Sequence, residues 1–283
     1  MNFHQAPNVY PTHIELKVIN LERSLSFYQN IIGFQLLERE ENRAVLTADG
    51  KTPLVSLIQP ADALPKEPRK TGLYHFALLL PERADLARFL HHIIKINYPL
   101  GAADHEVSEA LYLQDVDGNG IEVYADRPSS LWKWNNGEVH MVTEQLNAED
   151  LLKERKDETW QGLPKETVMG HIHLHVGNLA EAEAFYCKGL GFETAAHYGD
   201  QALFVSTGSY HHHIGLNTWN GVNASAPSSE SAGMNMFTIQ YPDQESVEQT
   251  VHRLKEYAAH LEKKEEAWIA MDPSGIRIIL KAQ

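Results

Sequence analysis

The stretch THIELKVINLERSLSFYQNIIGF, residues 12–34, aligns without a gap on GHIHLHVGNLAEAEAFYCKGLGF, residues 170–192. His13 falls on His171, Phe27-Tyr28 on Phe185-Tyr186 and Gly33-Phe34 on Gly191-Phe192. Each copy opens with the alternation of a strand, passes an Asn placed to cap a helix (Asn20, Asn178), and continues with apolar residues three and four apart. The spacing of Phe27, Tyr28, Phe185 and Tyr186 suits packing of the helix onto a sheet. A second repeat pairs GLYHFALLLP (72–81) with GMNMFTIQYP (233–242), and DGNGIEVY (117–124) with DPSGIRII (272–279). The chain therefore reads as four modules in the order A, B, A′, B′, each a strand, a helix and about three further strands, with Asp-Gly and Pro-Ser-Gly turns joining the last two.

The first pair of modules is expected over 8–127 and the second over 167–283. Between them, 128–166 is polar and charged and reads as a connector with one short helix. NGVNASAPSSESAG (220–233) is small and polar and reads as a loose link inside the second half.

Composition narrows the classes of function. A formal charge of −14 without a long basic run argues against nucleic acid or an anionic membrane as partner, which leaves small molecules. One cysteine, Cys187, excludes an intramolecular disulfide framework and favours the cytoplasm. No apolar run is long enough to cross a bilayer, and the first residues lack the pattern of a signal peptide. Position must decide among the 16 histidines. In HIHLHV, His171, His173 and His175 share one strand face while Ile172, Leu174 and Val176 share the other. A polar face on an otherwise buried strand implies a cavity.

Four βαβββ modules in this order resemble the vicinal oxygen chelate superfamily, which includes glyoxalase I, bleomycin-resistance proteins and type I extradiol dioxygenases. Within it the chain is similar to Bacillus-type catechol 2,3-dioxygenases, through GLYHFA, SEALYL, DGNGIE, YADRP, GHIHLHV and YHHHIGLN. The resemblance implies an α+β fold in which four βαβββ modules form two curved mixed β-sheet barrels with helices outside. It implies a mononuclear metal, iron(II) with manganese(II) as the alternative, held by a first-strand His and last-strand Glu of a B-type module and a first-strand His of an A-type module. Module B keeps both of its residues, His75 and Glu122, whereas module B′ aligns Met236 and Arg277 with them. The third ligand is His171 or His13. By the same resemblance His212 is the acid/base group, and Tyr112, ten residues before Glu122, and His105 face the substrate oxygens and the oxygen side. Two His and one carboxylate leave about three positions open on the metal, as in non-haem iron(II) oxygenases. His212 accompanies His171 in module A′, which favours His171 and places the site where B meets A′. The implied reaction is extradiol opening of a catechol-type ring by O2, in a chain free to form a homo-oligomer. A glyoxalase-like isomerase or lyase, or a non-catalytic sequestering protein, is the alternative on the same fold.

Overall fold

The computed structural model describes residues 2–156, 158–265 and 267–283, and all four modules take the same path. Module A runs β1 (Tyr10–Lys17), α1 (Leu21–Phe27), β2 (Gln35–Arg39), β3 (Arg43–Thr47) and β4 (Pro53–Ile58). Module B runs β5 (Gly72–Leu79), α2 (Arg83–Lys95), β6 (Gly101–Asp104), β7 (Ser108–Gln114) and β8 (Gly120–Asp126). The connector holds a small hairpin, β9 (Trp134–Asn135) and β10 (Glu138–Val139), and helix α3 (Ala148–Lys153). Module A′ follows with β11 (Val168–His175), α4 (Leu179–Glu183), β12 (Glu193–Tyr198), β13 (Ala202–Ser206) and β14 (Ile214–Asn217). Module B′ closes the chain with β15 (Gly233–Tyr241), α5 (Gln244–Leu254), β16 (His260–Lys264), β17 (Ala267–Met271) and β18 (Arg277–Ala282).

The local signals act as the sequence suggests. The Asn20 side chain accepts from the Arg23 amide, and Asn178 from the amides of Ala180 and Glu181, satisfying donors that the first helical turn leaves free. Each of these helices widens into a π-turn, Tyr28–Ile32 and Ala184–Gly189, before the chain reverses. Gly33 sits at φ +96°, and a Cβ there would lie 2.6 Å from Gly162 Cα, so the connector crosses this turn where only glycine fits. The stretch 220–233 is not loose: Asn223 N donates to Gly177 O (2.7 Å), Leu64 N to Glu230 O (2.8 Å) and Thr71 N to Ser225 O (3.1 Å). No helix among the described residues is long and apolar enough to cross a membrane.

Two eight-stranded mixed sheets result, ordered β16-β17-β18-β15-β1-β4-β3-β2 and β12-β13-β14-β11-β5-β8-β7-β6. Each joins one module from each half of the chain: A with B′ through β1 and β15, and B with A′ through β5 and β11. Ile14 and Leu16 on β1 with Val18 just beyond it, and Ile172 and Leu174 on β11 with Val176 just beyond it, enter a hydrophobic cluster shared with the helices. Burying these side chains drives the docking of the helices on the sheets. The opposite faces carry His13 and Glu15 in one sheet and His171 and His173 in the other.

The two B-type modules align differently in space than in sequence. Matching DGNG to DPSG sets Arg277 against Glu122. In the structure Asp115, not Asp117, is the counterpart of Asp272: each caps its turn by accepting backbone amides (Asp117 and Asn119; Ser274 and Ile276), and each receives a buried tyrosine hydroxyl, from Tyr28 at 2.8 Å and from Tyr186 at 3.3 Å. Ala77 pairs with Glu122 and Thr238 with Ile279, so Ile279 takes the place of Glu122. Met236 stays opposite Glu15 as His75 stays opposite His173.

Candidate metal centre

Strand register builds the centre. On β8-β5-β11, Glu122, Ala77 and His171 are successive partners across the sheet, and His75 lies one pleat along β5 on the same face. The small Ala77 side chain leaves the space into which the three longer ones lean. Close approach of β8 to β5 depends on Gly120, where a Cβ would lie 2.2 Å from the Tyr74 carbonyl oxygen and 3.0 Å from His75 Cβ.

His75 Nε2 lies 3.0 Å from Glu122 Oε2, His171 Nε2 lies 3.2 Å from the same oxygen, and the two nitrogens are 3.3 Å apart. All three residues are buried, and they are the only such His/Cys/Asp/Glu triad among the described residues. Two donors bound about 2.1 Å from one ion at right angles stand about 3.0 Å apart, so the spacing fits one face of an octahedral ion. Two imidazoles and one carboxylate suit a divalent transition metal and leave its other face to ligands. Burial lowers the His171 pKa to about 4 against the pull of Glu122, so its lone pair is free at neutral pH. Burial alone would raise the Glu122 carboxyl, but His171 and then His75 outweigh it and hold it well below its usual range.

His13 occupies the register of His171 in the other sheet, beside Thr238, but Ile279 and Met236 stand where Glu122 and His75 would be. Its Nε2 bonds Ser56 Oγ at 2.9 Å, and burial, then Arg43 and Lys281, lowers its pKa to about 4. His171, not His13, therefore joins His75 and Glu122.

A cavity of about 240 Å³ opens over the triad and is lined by Glu122, His75, His105, Tyr112 and His212, with Phe204 and Trp219 among its apolar walls. The His212 ring lies 4.1 Å from that of His171, and burial, then the charges of His171 and His211, keeps its pKa well below the ordinary value. The Tyr112 hydroxyl donates to His105 Nε2 at 2.6 Å. His105 Nδ1–H donates to the Val142 carbonyl, also at 2.6 Å, which fixes that tautomer. Burial, then the charge of Glu122, holds the Tyr112 phenol well above its usual pKa, so it is neutral.

The polar face expected of HIHLHV does line a cavity: His173 reaches it with an unpartnered, buried Nε2, its ring packed where a Gly215 Cβ would lie 2.8 Å away. Other groups that the fold brings here carry no sequence signal. Met141, Val142 and Thr143 of the connector also line the cavity, and nothing in their sequence marks them.

The strand order, the repeated modules and the triad at the mouth of one sheet define a class. The family model of the Glyoxalase/Bleomycin resistance protein/Dioxygenase superfamily matches residues 11–123 and 168–279, and the chain belongs to that superfamily. Within it the chain is 47% identical over 268 residues to a catechol-2,3-dioxygenase of Bacillus subtilis (strain 168), covering 93% of this chain and 94% of that one. It is 29% identical over 117 residues to biphenyl-2,3-diol 1,2-dioxygenase 3 of Rhodococcus globerulus, 40% of this chain and 62% of the other. Glyoxalase I of Zea mays shares the fold at a TM-score of 0.59, with 18% identity over 96% of this chain and 92% of its own.

Proposed function

We propose that the chain is an extradiol dioxygenase that opens catechol-type rings with O2 at a mononuclear iron(II) centre held by His75, Glu122 and His171. The observation that carries the reading is the convergence of these donors within 3.3 Å on the floor of a small cavity that also holds His212 and Tyr112. A divalent metal held by these three residues would supply Lewis acidity toward the diol.

The chain's own residues have separate tasks. His212 accepts a diol proton as the substrate binds and returns it to the opening ring, and the neutral Tyr112 hydroxyl orients the substrate oxygens. His105 holds Tyr112 and faces the oxygen side. Phe204 and Trp219 contact the ring and exclude water. The likeness to a catechol-2,3-dioxygenase at 47% identity over nearly the whole chain supports this assignment.

The test is protein loaded with iron(II) without air, then given catechol and air. A yellow ring-opened semialdehyde is expected from the wild type and from His13→Ala. His75→Ala, Glu122→Ala and His171→Ala must fail to produce it. Activity with bound zinc or nickel toward a non-aromatic substrate, and none with iron and catechol, refutes the reading.

A further inference from the structure

A chain of buried hydrogen bonds leads away from His212 toward the first half of the protein. His212 Nδ1 meets His211 Nδ1 at 2.8 Å, and His211 Nε2 meets Asp126 Oδ1 at 2.8 Å. The other carboxylate oxygen, Asp126 Oδ2, accepts from the Tyr210 hydroxyl at 3.0 Å, and Tyr210 is in turn 2.7 Å from the Tyr124 hydroxyl. His211 and His212 belong to A′ whereas Asp126 ends β8 of B, so the chain spans the junction that also assembles the metal triad.

For two neutral imidazoles the direction of every proton follows from the carboxylate, which only accepts. Tyr210 donates to Asp126, so Tyr124 donates to Tyr210. His211 must carry its proton on Nε2 to donate to Asp126, and with neutral rings its Nδ1 is an acceptor. The proton between the two imidazoles then belongs to His212 Nδ1. We propose that Asp126 is a positioning residue of the active site: acting through His211, it keeps the His212 proton on Nδ1 and leaves Nε2 bare. His211 is fully buried, its ring tilted against that of Tyr210 at 4.0 Å and edge-on to that of Trp132 at 5.2 Å, and this packing holds its two nitrogens toward Asp126 and His212. A bare Nε2 is what a proton acceptor at a bound diol requires. The proposal rests on the role given to His212 above.

Asp126→Asn separates the two ideas. Its amide oxygen can still accept from Tyr210, while its NH2 faces His211 Nε2 as a donor. That reverses the chain, moves the His211 proton to Nδ1 and forces the His212 proton onto Nε2. Nitrogen-15 imidazole spectra of the metal-free protein, with His211 and His212 assigned from His211→Phe and His212→Gln, read the tautomers without any turnover. The wild type is expected to show His212 protonated at Nδ1 and Asp126→Asn at Nε2.

In the iron-loaded protein Asp126→Asn is expected to lower kcat on the order of 100-fold or more, with bound iron unchanged and KM within about threefold. Asp126→Glu should recover part of kcat. Should Asp126→Asn fail to fold, His211→Phe, which keeps a ring and removes both nitrogens, must show the same loss of kcat. A wild-type His212 protonated at Nε2, an unchanged tautomer in Asp126→Asn, full kcat in the folded variant, or a kcat that falls only with lost iron overturns the proposal. Correct tautomers in a wild type that opens no catechol ring would instead refute the function assigned to the site.

Discussion

Metal-free protein is expected to lose stability steeply on mild acidification, and two histidines set the scale. Burial lowers both His13 and His171 from 6.5 to about 4. The sign follows: between these values the unfolded chain binds a proton that the folded chain refuses, so stability falls as pH drops through the window and is unaffected above it. From about pH 7.5 to about pH 5 each ring costs about 2 kcal/mol and the pair about 4 kcal/mol, out of a typical total of about 5–15 kcal/mol. His4, His173, His212 and His213 are lowered by burial too and act in the same direction. Urea unfolding with chelator present, followed by circular dichroism at both pH values, measures the fall. His13→Gln, which can keep the bond to Ser56, should reduce it by about 2 kcal/mol while leaving ring cleavage intact. A wild-type stability that is flat across the window, or an identical fall in His13→Gln, would show that these rings are not held neutral by burial.

Adding iron(II) anaerobically should raise the melting temperature of the wild type and of His13→Gln but not of His171→Ala, because an ion bound only by the folded state stabilises it. His212→Gln should retain that rise yet lose about 100- to 10,000-fold in kcat; an unchanged kcat would remove His212 from the chemistry. Gly120→Ala forces a methyl to within 2.2 Å of the Tyr74 carbonyl oxygen, and a loss of about 1–3 kcal/mol with weakened iron retention is expected from urea titration and metal analysis. Phe204→Ala enlarges the cavity of about 240 Å³ and should raise kcat/KM for a biphenyl diol relative to catechol, a ratio that stays constant if Phe204 does not wall the ring site.

The modules were legible in the sequence because strand alternation and helix capping are local signals, repeated at 12–34 and 170–192. His75 and Glu122, with His171 or His13, could be named as candidates through the family resemblance, and the structure brings His75, Glu122 and His171 together. The match of Asp272 to Asp117 went astray because DPSG copies the letters of DGNG, whereas the turn is defined by a carboxylate that accepts two amides and a distant tyrosine hydroxyl. That carboxylate belongs to Asp115, two residues earlier. The contact of Asp126 with His211 joins residues 85 apart in the chain, and no periodicity records such a meeting. The connector's hold on His105 was hidden for another reason: a backbone carbonyl makes the bond, and any side chain at 142 would permit it.

The cross-pairing of the sheets sets an order of events in folding. His75 and His171 are 96 residues apart, and β1 waits still longer for β15. A growing chain that has produced modules A and B therefore presents two open strand edges, β1 and β5, which invite pairing with other chains until their partners emerge. Contacts this distant in sequence slow folding, since loop closure is paid before they form. Two of the three metal donors exist early, but the strand carrying the third arrives only with module A′. A metal ion can be held by all three donors only after the halves have interlocked, which makes metal loading a report on finished assembly, not a nucleus for it.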